Sequence, residues 1–198
     1  MEEPTSRAAE AVQRSLSRRQ ATAETEVARL IAAGRELFGA GVNPRVADIV
    51  TAAEVSIEAF YRYFGSKAEF VAAISEDGIR RVSTYVGHKA ASADSPGRRL
   101  HAAVTALMSQ AATPELASAS RNILGSRHEV AISLSFRTEI AEILAPILTD
   151  LGSTDVLRDS RLAATTLIGA VEDQVWNATL PTDDDIGHLV GFLRHAIS

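Results

Sequence analysis

The stretch from Asn43 to Glu69, NPRVADIVTAAEVSIEAFYRYFGSKAE, constrains this 198-residue chain more than any other part. Asn43 has a side-chain oxygen that can accept from the first free N–H groups of a helix, and Pro44 suits the first helical position because it has no hydrogen bond to lose there. Val46, Ile49 and Val50 recur at helical spacing, which predicts a first short helix. After Ala53-Glu54-Val55 a second start falls at Ser56, with Ala59, Phe60 and Phe64 on its inward side. Gly65 is expected to end that helix in a left-handed conformation, and Ser66 with Glu69 forms a Ser-x-x-Glu capping box for the next. A short helix held between two such boundaries can present its outer face to a groove.

Composition narrows what surrounds this stretch. A hydrophobic content of 46% with mean hydropathy near zero describes a globular chain, long enough for one or two domains with a real core. No apolar run approaches the roughly 18 to 20 residues needed to cross a bilayer, and the N-terminal MEEPTSRAAEAVQRSLSRRQ lacks the apolar centre of a secretory signal, so a cytoplasmic location is expected. With no cysteine there are no disulfides, thiolate nucleophiles or cysteine zinc sites. The net charge of −5 argues weakly against a nucleic-acid partner, but it is unevenly spread. Residues 1–99 sum to +1 and residues 100–198 to −6, so the acidity belongs to the C-terminal half. Six arginines against three glutamates fall within residues 7–35, whereas 43–67 is balanced at three of each sign.

Apolar residues recur at spacings of 3 and 4 throughout, no run alternates with strand period, and Gly and Pro sit between segments, which predicts an all-α chain. Residues 1–21 form an arginine-bearing arm that is either flexible or an extension of the first helix. Residues 22–68 form a three-helix unit, its first helix running from about Thr22 to Phe38. Residues 69–198 form a larger helical domain, with ASADSPG (91–97) as the break after the fourth helix, a restart at Ser95-Pro96, a kink or break at Pro146, a helix from about Ser160 to Leu180, and a last helix from Thr182.

The run AGVNPRVADIVTAAEVSIEAFYRYFGSKAEF resembles the N-terminal signature of TetR-family transcriptional regulators. The likeness spans about fifty residues, from the first helix to Ile74. It implies a helix-turn-helix DNA-binding domain followed by a helical domain that binds a small-molecule effector and dimerises through its last two helices. Position by position, it places Arg45 at a phosphate, Ser56, Ile57 and Glu58 toward the floor of the major groove, Tyr61 and Tyr63 at backbone or bases, Arg62 at phosphate or guanine, and Lys67 at a phosphate beside free backbone N–H groups. The chain departs from the family at Glu58-Ala59, where Gly-Thr is common. Glu58 either accepts from a cytosine amino group or stabilises the helix start, and the helix role is favoured. The arginines Arg14, Arg18 and Arg19 of the arm are candidates for the minor groove, with a solvated tail as the alternative.

For an effector pocket the candidates are Leu107, Met108, Leu124, Phe136, Ile140 and Trp176, residue types that line cavities and equally fill cores. For a homodimer interface the candidates are Leu167, Ile168, Val171 and Val175 on one stripe of the penultimate helix, and Ile186, Leu189, Val190, Leu193 and Ile197 on one stripe of the last. The alternative is that both stripes bury only against their own chain.

No catalytic site is legible. The five histidines include no His-x-x-x-His pair, and the chain has no Gly-x-Ser-x-Gly elbow and no phosphate-cradling glycine loop, so no metal, cofactor or enzymatic activity is expected. The function expected is that of a small-molecule-responsive repressor binding a palindromic double-stranded operator as a homodimer. The alternative is an all-helical ligand-binding protein or enzyme whose helix-turn-helix is vestigial.

Overall fold

The computed structural model describes residues 6–40, 43–111, 129–177 and 179–196. These form eight α-helices, and no strand occurs among the described residues. In order they are α1 (Arg7–Gly39), α2 (Val46–Ala53), α3 (Ile57–Tyr63), α4 (Lys67–Ala91), α5 (Pro96–Met108) with a 3-10 turn at Ser109–Ala111, α6 (Glu129–Asp150), α7 (Val156–Asn177) and α8 (Asp183–Ala196). Among the described residues no helix is long and apolar enough to cross a membrane.

Two separate cores organise the chain. The N-terminal core joins Leu30, Ala33 and Phe38 of α1, Ile49, Val50 and Ala53 of α2, Phe60 and Phe64 at α3, and Phe70 and Ile74 of α4. Its centre is aromatic: the Phe70 ring lies 5.1 Å from Phe60 and 5.0 Å from Phe64, both edge-on, an arrangement worth about 0.5–1.5 kcal/mol per pair beyond the area buried. The C-terminal core joins Val86 and Ala90 of α4 to the inward faces of α5 to α8. Because α4 contributes Phe70 and Ile74 to one core and Val86 and Ala90 to the other, it is the element that links the two domains.

Several boundaries differ from those expected. The first helix begins at Arg7 and not near Thr22, so the described part of the arm continues α1. Its residues are mostly Ala, Arg, Gln, Glu and Ser, and the strong helix formers among them suffice to extend a helix already nucleated by the packed part. The second helix starts at Val46, two residues later than Asn43 and Pro44 suggested, because Asp48 supplies the cap: its Oδ2 accepts from the backbone N–H of Arg45 at 2.8 Å. At Pro146 the helix is not broken. Pro146 and Glu142, whose carbonyl loses its partner, are both exposed, so water can satisfy that carbonyl while Leu144, Ile147 and Leu148 stay buried on the other side. The turn that does end α6 is at Gly152, whose φ of +94° lies in the left-handed region. The penultimate helix runs Val156–Asn177 in place of 160–180, and α8 is capped reciprocally by Thr182 and Asp185. The Thr182 hydroxyl and backbone N–H together hold the Asp185 carboxyl below its ordinary value.

Candidate nucleic-acid interface

The turn between α2 and α3 is built on one unusual residue. Glu54 has φ 54° and ψ 43°, and it is the only non-glycine residue with positive φ among those described. This closes the end of α2: the Glu54 N–H donates to the Thr51 carbonyl at 3.2 Å and the Val55 N–H to the Val50 carbonyl at 3.0 Å. A side chain in this conformation costs roughly 1–2 kcal/mol, more than the extra unfolded-state freedom of glycine. Glu54→Gly is therefore expected to stabilise the protein by about 0.5–1 kcal/mol, seen as a raised midpoint in urea, whereas Glu54→Val should lower it.

Ser56 then opens α3. Its Oγ accepts from the Ala59 N–H at 3.1 Å, as its position predicts. Glu58 lies fully exposed in the first turn, and its carboxyl is held below the usual value, first by a bond from its own backbone N–H and then by the Ser56 hydroxyl. Inside, Ala59 and Phe60 are buried; outside, Ser56, Ile57, Glu58, Tyr61 and Arg62 are all exposed, Tyr61 at 53%. One surface of α3 is thus anchored and the other is open.

At the end of α3 the geometry departs from expectation. Tyr63 is half-buried against the N-terminal core, and its hydroxyl donates to Glu26 Oε2 of α1 at 2.6 Å. Arg62 lies over the Tyr63 ring, 5.0 Å from its centroid, and reaches the same Glu26 oxygen at 3.4 Å. Tyr63 therefore fastens α3 to α1, and only Tyr61 carries an outward hydroxyl. Gly65 is not left-handed; the helix ends at an extended Phe64, and the Gly65 N–H donates to Glu69 Oε2 at 2.9 Å. Ser66 caps α4 through the Glu69 N–H at 3.1 Å, so the capping pair forms with its return bond shifted to Gly65. Lys67 is half-buried, its Nζ donating to Asn43 Oδ1 at 2.6 Å and lying 5.8 Å from the Phe38 ring centroid. Asn43 thus serves Lys67 in place of α2, and Arg45 stands exposed at the start of α2. Neither Glu26 nor Asn43 was legible as a partner, because each bond joins residues far apart in the chain.

The larger domain sorts the remaining candidates. Leu107, Met108 and Ile140 are fully buried and Phe136 is half-buried against the same core, while Trp176 is 55% exposed on the outside of α7. Val175 takes the inward position there, and Trp176 follows about 100° further round the helix. Leu124 and Ile197 lie outside the described residues. The two apolar stripes face inward: Leu167, Ile168, Val175, Ile186 and Leu193 are buried in their own chain, and Val171, Leu189 and Val190 are half-buried against it. Leu157, Leu162, Trp176 and Phe192 are the large apolar residues that these helices leave exposed, at 65%, 60%, 55% and 54%.

Residues 30–74 match the family model for bacterial regulatory proteins of the tetR family. That segment carries the TetR-family N-terminal signature. The matched segment runs from Leu30 through Ile74, which are also the outermost residues of the buried N-terminal core, so the TetR signature and the packed headpiece coincide. Solved structures of TetR-like fold extend over the second domain. A transcriptional regulator from Rhodococcus sp. Rha1 is 20% identical over 86% of this chain and 95% of its own, with a TM-score of 0.65. A TetR-family transcriptional regulator from Streptomyces coelicolor is 17% identical over 88% and 97%, with a TM-score of 0.64. RolR in complex with the ligand resorcinol is 19% identical over 90% of each chain, with a TM-score of 0.60. No curated protein sequence matches the chain significantly. The matched segment, with its anchored α3, supports a DNA-binding regulatory role.

Proposed function

We propose that the protein is a small-molecule-responsive repressor that binds a palindromic operator as a homodimer, with α3 in the major groove. The observation that carries this reading is the division of α3 into a buried side, Ala59 and Phe60, and an open side, Ser56, Ile57, Tyr61 and Arg62. On that side Ile57 offers apolar contact to a thymine methyl, Tyr61 a hydroxyl, and Arg62 a cation for phosphate or guanine. Arg45 and Lys67 flank it at two helix N-termini, suited to phosphates on either side.

Two headpieces must sit about one helical turn apart, roughly 34–36 Å, to read successive major grooves. The dimer face we assign is the exposed side of α7 and α8, with Leu162, Trp176 and Phe192 as its large apolar residues and Gly169 and Gly187, beside which no atom lies within 4 Å of an added Cβ, leaving room for a partner helix. Support for an effector comes from Ser83 Oγ, Arg137 Nε and Gln174 Oε1, buried polar atoms without a hydrogen-bond partner. Each unmet group costs about 1–3 kcal/mol, which a bound polar molecule would recover. An effector that moves α4 relative to α5–α7 shifts Phe70 and Ile74 as well, and Asp77 couples them further by accepting from Arg35 of α1 at 3.1 Å.

Selection of bound sequences from random duplexes tests the reading. Inverted repeats should be enriched, and Tyr61→Ala/Arg62→Ala should weaken binding to them by about 10- to 100-fold while the dimer persists in sedimentation. Tyr63 is left intact because it holds α3 in place. Enrichment of no sequence, or unchanged affinity in the double variant, would overturn the assignment of α3.

A further inference from the structure

The first half of α1 has no packing reason to exist. From Arg7 to Thr25 nearly every described side chain is exposed, and the buried part of the helix begins only at Leu30. This free-standing segment projects about 28 Å from Glu26 to Arg7 at 1.5 Å per residue. Its root is fixed beside the open end of α3, because Glu26 is the residue that holds Tyr63 and Arg62. The projecting helix is thus continuous with the candidate DNA surface.

Its charges are ordered. Arg7, Arg14 and Arg18 are seven and four residues apart, and Arg29 follows eleven later, spacings of close to two, one and three helical turns that align all four on one face. Leu30, Gly34 and Phe38 define the opposite, core-facing side of the same helix, so the packing that holds α1 points the arginine stripe at solvent. Val12 and Leu16, 59% and 54% exposed, continue the core-facing side outward. Local stability does not account for the stripe. Arg7 sits in the first turn, where the helix dipole disfavours a cation, and among the described residues the one ion pair in this segment, Arg14 to Glu10 at 3.7 Å, is exposed on both sides and contributes little.

We propose that this projecting helix is a second DNA-binding element, which lays Arg7, Arg14 and Arg18 along the phosphates of duplex flanking each half-site. The complementary partner of a regularly spaced cationic stripe rooted beside α3 is the phosphate backbone that α3 itself approaches. The contacts are to phosphate, so they add affinity without sequence preference. This inference rests on the reading of α3 as the recognition helix, and the test separates the two.

The test uses the full chain, a duplex enriched from the random pool, and a mixed-sequence duplex of the same length, each titrated across a salt series. Arg7→Gln/Arg14→Gln/Arg18→Gln keeps good helix formers, and circular dichroism should show unchanged helicity. The slope of log affinity against log salt is expected to become shallower by about 2.7 per protomer, and both duplexes should lose affinity by the same factor. The triple Arg→Lys variant should keep the wild-type slope, since phosphate contact needs charge alone. A wild-type slope in the glutamine variant would overturn the proposal and leave α3 intact as the reader. Selective loss on the enriched duplex would overturn it in favour of base contacts. Loss of binding in Val12→Gln/Leu16→Gln, with the arginines present, would overturn it in favour of a protein partner on the apolar side. Failure of the wild-type chain to bind any duplex would sink the α3 reading and this one together.

Discussion

Gly34→Ala is expected to destabilise the protein, although alanine is the better helix former. Gly34 is in the interior of α1, where the exchange on propensity alone would gain about 1 kcal/mol. A Cβ at this position would lie 2.5 Å from Ile74 Cδ1 and 2.7 and 2.9 Å from the Phe70 ring, distances that real side chains do not tolerate. Neither neighbour can withdraw. Ile74 is 1% exposed, and the Phe70 ring is wedged between Phe60 and Phe64. Forcing a methyl into such a core costs typically 1–3 kcal/mol, and here more of that range applies because the alternative is to separate α1 from α4. The net effect should be a loss of about 1–2 kcal/mol in urea unfolding followed by circular dichroism. Gly78→Ala serves as the opposite case: it lies inside α4 with nothing within 4 Å of its added Cβ, so it should stabilise by up to about 1 kcal/mol. Equal stability of the two variants would show that α1 and α4 do not meet as closely as described.

The same close approach shows what a reader of sequence can and cannot see. The boundaries of α3 were legible because capping is local chemistry: Ser56 reaches Ala59 three residues on, and Phe60 and Phe64 share a side by helical period. The all-α architecture and the break between α4 and α5 at residues 91–97 follow from period and from Ser95-Pro96 for the same reason. What failed was competition between local options. Asn43 is a good cap in isolation, yet Asp48 caps α2 and leaves Asn43 to Lys67, a residue 24 positions away. Gly65 is a good left-handed terminus, yet the left-handed turn fell on Glu54, the less suitable residue, because α2 rather than α3 must reverse there. The tyrosines divided because Glu26, 37 residues from Tyr63, takes one hydroxyl and leaves the other. The stripes on α7 and α8 were found correctly as stripes, but periodicity says only that a face is apolar. Whether that face meets its own chain or a partner depends on packing between helices that sequence does not display, and here their own chain covers Leu167, Ile168 and Leu193.

Phe60→Ala should have the largest effect of any single change in the headpiece, and its effect on DNA should exceed its effect on the fold as a whole. With seven residues, α3 is far below the length at which a helix persists unaided in water, so its order derives from its anchors. Phe60 is the main one: it is fully buried and packs against Phe64, Phe70 and the edge of Tyr61. Truncating a buried phenylalanine costs about 3–5 kcal/mol, part of it for the cavity that remains. The loss falls on the N-terminal core alone, since the C-terminal core shares none of its residues. A headpiece so weakened should open while α5 to α8 stay folded, giving a biphasic urea transition with amide exchange accelerated in α2 and α3 first. Operator binding should fall by at least the fraction of headpieces opened, and more steeply for a dimer that needs both. Phe60→Leu, which retains most of the buried volume, should restore a single transition and much of the binding. If Phe60→Ala unfolds the whole chain in one step, the two cores are a single cooperative unit and α4 transmits far more than the displacement of Phe70 and Ile74.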